Sequence, residues 1–255
     1  MTENIEFVGE TDQSPQGKCP AVWRDKTGLY VRGKTVTDPV VLARLARDNE
    51  EAADESTVWL ANDMIPKVAE AAAGTFEPGR TGHGPVTVYD LLKQVRRSAL
   101  HLEMRDTYDA SAPAFHDWLA GGPGDLDWTE WNSIVSSAVE RGAEFRRARI
   151  VSEPVTDYIA WEHMLTEHNI KAGEDVRWLP RRRAFDLMLP GADFWLLDHK
   201  LVAFNFCSGD GTDTEEEEFT SDPDIVARCL LAFERVWERA IPHAEYKPPR
   251  TSAER

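Results

Sequence analysis

The chain has 255 residues, enough for one large or two small domains, and a 42% hydrophobic content with nine Trp supplies a core. A net charge of -16 argues against sequence-independent nucleic-acid binding and against an anionic membrane surface, both of which need Lys and Arg facing phosphates. No apolar run approaches the roughly 18 residues that span a bilayer, and the polar, acidic start lacks the marks of a secretory signal. Cys19, Cys207 and Cys229 are odd in number and far apart. They fit neither a disulfide framework nor a zinc ribbon and read as reduced thiols of a cytoplasmic protein.

Residues 1–18 are polar and acidic, with Pro15 and Gly17, and read as a disordered tail. Residues 19–73 read as a small ββαβα module. Segments 21–25 and 29–36 are β-rich and flank Lys26-Thr27-Gly28, which makes a hairpin. Asp38-Pro39 starts a helix whose apolar face is Val41, Leu42 and Leu45. Residues 48–55 form an acidic loop, 57–61 a strand, and 64–73 an Ala-rich helix. Gly and Pro crowd residues 74–85, so 74–88 reads as a linker.

An α/β domain over 89–248 follows, with a short tail at 249–255. Residues 89–97 read as a helix. Leu100, Leu102 and Met104 alternate with His101, Glu103 and Arg105, the pattern of a strand with one face buried. Residues 113–120 read as a helix, and Asp127 with Glu130 as the capping box of a longer one ending at Gly142. A strand at 145–151, a helix from 152 to 168 and a strand at 176–179 complete a βαβ alternation, which implies parallel strands with helical crossovers. Residues 194–197 and 201–206 form a hairpin, 208–218 an acidic solvated loop, and Asp222-Pro223 opens the last helix. The fold class is α/β (α+β): a mixed sheet with βαβ crossovers and a C-terminal hairpin plus helix, preceded by the ββαβα module.

The sequence holds no P-loop, Gly-rich dinucleotide turn, HExxH or GxSxG. His163 and His168 are five apart, which does not place them on one helix face as metal ligands. No catalytic residue, metal site or cofactor is assigned. Polar residues cluster instead after strands: Arg105 and Asp106, Ser152 and Glu153, and Arg181. Ligands of open α/β sheets bind outside the carboxyl ends of strands. A pocket holding Arg105, Glu153, Arg177 and Arg181 would suit an anionic or phosphorylated ligand. Tyr108, Arg149, Tyr158, Asp193 and Asp198 complete the candidate ligand-binding set. The plainer alternative is that Arg105, Asp106 and Glu153 pair with one another and cap helices. The basic run 181–183 reads as a solvated turn, or as a contact for phosphate, for an acidic partner or for the chain's own acidic residues 215–218.

LEMRDTY (102–108), RIVSEPVTDY (149–158), GEDVRWLPRRRA (173–184), DFWLLD (193–198) and HAEYKP (243–248) together resemble an actinobacterial domain family of unknown function. The resemblance spans about residues 89–248. Members of that family are commonly encoded beside, or fused to, helix-turn-helix regulators linked to development and secondary metabolism. The N-terminal part is similar to small proteins encoded next to that family, which implies a fusion of two genomic neighbours. The strand–hairpin core is also similar to the phospholipase D-like fold, whose reaction uses His-x-Lys-x4-Asp. Anchored at Asp198, that motif would put Lys at Asp193 and His at Gly191, so the nucleophile and the phosphate-holding Lys are both lost.

The resemblance implies a non-enzymatic sensing or interaction protein working with a helix-turn-helix partner, binding a small anionic ligand and touching neither nucleic acid nor membrane itself. One rival is an enzyme drawing an acid–base pair from Glu153, Asp106 or Asp198, with Arg105 and Arg177 holding substrate. Another is one half of a toxin–antitoxin-like pair, in which the acidic chain neutralises a basic partner.

Overall fold

A computed structural model describes residues 5–10, 20–49, 52, 55–76, 86–208 and 213–250. The chain divides into two compact units, Met1–Pro85 and Val86–Arg255. Cys19, most of the expected linker, parts of the acidic segments 48–55 and 208–218, and residues 251–255 lie outside the described residues.

The first unit begins with a strand where an irregular tail was expected. β1 (Glu6–Glu10) pairs antiparallel with β2 (Ala21–Arg24), which pairs with β3 (Leu29–Arg32). Two apolar residues set between acidic ones suffice for this: Phe7 packs edge-on against Trp23, and Val8 is buried with Val22, Met64 and Ala71. In the hairpin turn the Asp25 carboxylate accepts from the Thr27 and Gly28 N–H groups. β4 (Lys34–Thr35) later pairs with β5 (Val58–Trp59), so the expected single strand over 29–36 is split between two ladders. α1 (Pro39–Leu45) starts where Asp38 caps the N–H groups of Val40 and Val41. None of its residues is buried, so the expected inward face of Val41, Leu42 and Leu45 is not one. α2 (Ile65–Ala73) ends at Gly74, whose φ of +68° is the left-handed cap that glycine reaches without strain.

The second unit is built on seven strands. A Thr87–Asp90 capping box opens α3 (Val88–Leu92), shorter than expected, and β6 (Ser98–Glu103) follows. α4 (Pro113–Leu119) and α5 (Thr129–Glu140) lead to β7 (Glu144–Val151), and α6 (Asp157–Ala172) leads to β8 (Asp175–Pro180). β6, β7 and β8 are parallel neighbours, as the βαβ alternation requires. β9 (Asp193–Leu197) and β10 (Leu201–Cys207) form the hairpin, and β9 runs antiparallel beside β6. Asp198 and His199 make its tight turn with positive φ at both positions. The expected acidic loop is in part an edge strand, β11 (Asp213–Thr220), antiparallel to β10. Acidic residues there suit an edge, because charge discourages pairing with another chain. α7 (Pro223–Arg239) and a two-residue β12 (Ile241–Pro242) beside β8 close the domain. The sheet order is β11-β10-β9-β6-β7-β8-β12.

Two helix starts differ from expectation. Trp128, not Asp127, is the N-cap of α5; Asp127 accepts from the Thr129 N–H, and Glu130 pairs with Lys93 instead of closing a capping box. Thr156, not a residue of 152–154, caps α6 through the Ile159 N–H.

α7 covers one face of the sheet, where Leu100, Leu102, Ala148, Ile150, Leu179, Phe194 and Leu196 meet Phe233 and Val236. On the other face Ala99, Phe145, Trp195 and Leu197 meet Trp131, Ile134 and Val135 of α5. β6 is therefore buried on both faces, not one, because it lies in the middle of the sheet.

Candidate functional site

Three of the expected strand-end groups do converge. The Asp106 carboxylate accepts from the Ser152 N–H at 2.7 Å and the Ser152 hydroxyl at 2.6 Å. Arg181 donates to Ser152 Oγ, to Asp106 and to the carbonyls of Met104 and Ile150. Its five-donor fork thus ties the carboxyl ends of β6 and β7 to the turn after β8. Asp106 pairs here with Arg181, a residue outside the plainer alternative's set of Arg105, Asp106 and Glu153. Glu153 lies beside this clamp and accepts from the Tyr246 hydroxyl at 3.0 Å.

The anionic pocket of Arg105, Glu153, Arg177 and Arg181 does not assemble. Arg177 projects to the opposite face, stacks 4.1 Å from the centre of the Trp237 ring on α7 and approaches Asp175 at 3.5 Å. Asp198 stands at the other end of β6, accepting from the N–H groups of Arg96, Arg97 and Ser98; these bonds offset burial and hold its carboxyl below the usual range. The Arg105 N–H donates to the Tyr108 hydroxyl, and Tyr108 donates at 2.6 Å to Asp193, which also accepts from the Met104 N–H. Tyr158 is buried against Phe115 and Trp161, with its hydroxyl accepting from the Asp109 N–H.

The denser site lies under α5 and α6, and sequence reasoning found only its edge, Arg149, Tyr108 and Asp193. His101 and Glu103 on β6 and Arg147 and Arg149 on β7 point to this face at alternate positions. Both arginines form ion pairs with Glu103. Arg147 also donates at 2.8 Å to Glu174, and its guanidinium lies 5.4 Å from the ring centres of both Trp131 and Trp195. Glu174 further accepts from Trp131 Nε1 at 2.6 Å and Asn169 Nδ2 at 2.7 Å. Arg149 reaches Thr166 Oγ1 and Glu162 on α6, and lies over Trp178. His101 stacks on Trp195 with ring centres 3.9 Å apart and approaches Glu103 at 3.2 Å.

This network walls a cavity of about 370 Å³, lined also by Tyr89, Trp128, Trp131 and Trp195. Its charges are not uniform. Burial would raise Glu103, but Arg149 and Arg147 overcome it and hold the carboxyl at about 2. Burial pushes Glu162 up to about 7, because Arg149 approaches it at 3.4 Å outside hydrogen-bond geometry. Burial likewise lifts Asp193 to about 6, against the bond from Tyr108. Burial drives His101 well below the usual imidazole range, so it is neutral at pH 7. Among the described residues no cluster of three or more His, Cys, Asp or Glu has the form of a metal site.

The signal that could have found this site was present. Charged residues alternate with apolar ones along β6 and β7, and the βαβ connections set β7 between two parallel neighbours with helices over its faces. Such residues must be paired, and pairing four of them creates a buried polar surface.

Residues 87–248 match the family described as Domain of unknown function (DUF6879). The chain belongs to that family. The match contains both the strand-end clamp and the whole buried network of the DUF6879 domain. No curated protein matches the chain. Among solved structures, the phospholipase D family member Nuc from Salmonella typhimurium has a TM-score of 0.36 at 12% identity, over 61% of this chain and 87% of that one. NucT from Helicobacter pylori has a TM-score of 0.36 at 10% identity over the same shares. Among the described residues no helix is long and apolar enough to cross a membrane.

Proposed function

We propose that this protein is a non-enzymatic, cytoplasmic ligand-sensing protein whose ligand enters the cavity under α5 and α6, and that it works with a helix-turn-helix regulator. The regulator and the cellular compartment follow from the family context and thiol usage set out above. The cavity carries the ligand-binding part. Its volume lies within the ~300–1,000 Å³ of small-molecule sites, and aromatic walls with a few converging polar groups are the usual lining.

Its chemistry revises the ligand class expected from the strand-end arginines. Arg147 and Arg149 are already neutralised by Glu103, Glu174 and Glu162. An anion would have to displace one of these carboxylates. A ligand with an N–H donor or a positive charge meets Glu162, the carboxyl with the poorest partner. We therefore favour a small planar amine, amidine or nucleobase-like molecule that stacks on the Trp walls.

A thermal-shift screen of amines, guanidines, nucleobases and, as the contrary class, phosphorylated metabolites tests this, because a ligand of the folded state raises apparent stability. The expected result is a shift with an N–H donor that disappears in Glu162→Gln. A shift with phosphorylated compounds alone, insensitive to Glu162→Gln, overturns the ligand class. Co-elution of the protein with a neighbouring helix-turn-helix regulator on size exclusion, altered by the same compound, tests the partner. The second reading is an enzyme using Glu162, since a carboxyl titrating near 7 suits general acid–base work. Consumption of the bound compound by the wild type and not by Glu162→Gln would decide for it.

A further inference from the structure

A second concavity lies on the other side of the sheet, along α7. It encloses about 590 Å³, and Leu187, Leu189, Phe204, Ile225, Cys229 and Ala232 contribute its apolar floor. Its rim has a different character. Arg228, Arg235 and Arg239 line it from α7. Met188 is 94% exposed and Leu231 59% exposed at its mouth, and neighbouring Phe185 is 87% exposed. Arg239 is committed to Asp186, which it meets with both terminal nitrogens. Arg235 has only a 3.5 Å approach to Glu238, with both side chains more than half exposed, which is worth little in water.

We propose that this groove docks an acidic amphipathic helix of a partner protein. Three observations select that occupant. The first is sign: a chain of net charge -16 concentrates guanidinium groups around one apolar groove, and the complement of that pattern is an apolar stripe flanked by carboxylates. The second is length. The lining runs along α7 from Ile225 to Arg239, about 21 Å at the helical rise, which matches four turns of a docked helix and exceeds a small ligand. Arg228 and Arg235 stand seven residues apart, close to two helical turns, the repeat of acidic residues beside an apolar stripe. The third is the exposed Met188, whose flexible thioether adapts to varied apolar anchors. This surface is separate from the cavity over the opposite face of the sheet, so either can fail without the other.

Fluorescence anisotropy with the full chain tests the proposal. The probes are labelled helical peptides of about 18 residues with a Leu stripe, one carrying Glu and one Lys at the remaining positions. The Glu peptide should bind, weaken with added salt, and lose affinity on the order of tenfold in Arg228→Glu/Arg235→Glu. Leu231→Asp should weaken it at unchanged circular dichroism. Absence of binding by the Glu peptide, equal binding by the Lys peptide, or no effect of the charge reversal overturns the proposal. Binding of sodium dodecanoate without binding of the Glu peptide also overturns it and makes the groove a small-amphiphile site.

Discussion

The two faces of β6 and β7 are buried equally and built from opposite chemistries. Towards α7 the strands present Leu100, Leu102, Ala148 and Ile150, with one charged group, Arg146, at the start of β7, paired with Glu234 and lying over Phe233 and Trp237. Towards α5 and α6 the intervening positions are His101, Glu103, Arg147 and Arg149. The first face is held by dispersion and hydrocarbon transfer, which require only volume and shape. The second is held by ion pairs whose Coulomb attraction must repay desolvation, which requires every partner at once. A face of the second kind is a poor way to gain stability, so its presence mid-sheet is the reason to place the site there.

Substitutions should separate the faces. Phe233→Ala, in the α7 face, is expected to cost ~3–5 kcal/mol in urea unfolding through lost transfer energy and a cavity. Arg147→Ala should cost a similar ~3–5 kcal/mol, for a different reason: it leaves buried Glu174 without its cation and Glu103 with Arg149 alone. The discriminating measurement is the compensated variant. Arg147→Met combined with Glu174→Gln, which keeps the Glu103–Arg149 pair, should recover most of the loss. No rescue of Phe233→Ala by charge removal is expected, and equal behaviour of the two faces would refute the division.

A smaller effect lies in pH. Glu162 titrates at about 7 in the folded protein against an ordinary 4.5. Between those values the unfolded chain releases its proton while the folded one keeps it, so this group's contribution to stability falls as pH rises from ~4.5 to ~7. Asp193, lifted from 3.8 to about 6, acts in the same direction at lower pH. Glu103 acts oppositely: held at about 2, it contributes stability that is lost as pH falls through that value. The wild-type minus Glu162→Gln stability difference should therefore decline by ~1–3 kcal/mol across pH 4.5–7. A flat difference would show that Glu162 titrates alike in the folded and unfolded chain.

The apolar face was legible in the sequence, because Leu100 and Leu102 carry the period of two and Val226, Cys229, Phe233 and Val236 the helical stripe of α7. The βαβ order followed from the same patterns. The charged face was misread, because alternation reports which residues differ and not whether the polar ones meet water. That depends on β6 lying between β7 and β9, a pairing that sets Leu102 opposite Phe194, 92 positions further on, and has no local signal. Arg177 was assigned to the strand ends for the same reason. It is one residue out of phase with Trp178, and a single step along a strand reverses the face. The acidic edge strand was hidden by its own charges, which read as a solvated loop, whereas β11 stands at one end of the sheet order.

The smallest expected effect concerns the strand-end clamp, which resembles the buried network in composition but not in depth. Asp106 and Arg181 are both partly exposed, with side-chain exposures of 29% and 42%. Water can replace much of what either loses. Asp106→Asn keeps an acceptor for Ser152 and removes the charge facing Arg181, so it should cost only ~1 kcal/mol. Arg181→Met removes four donated bonds and leaves the carbonyls of Met104 and Ile150 without this donor, but the clamp is only part-buried, so ~1–2 kcal/mol is expected. Neither change should alter ligand-induced thermal shifts at the cavity, because neither side chain contributes to its lining. If Arg181→Met abolished such a shift while leaving unfolding near the wild type, the ligand would have to sit at the strand ends after all. The charged face beneath α5 and α6 would then be structural.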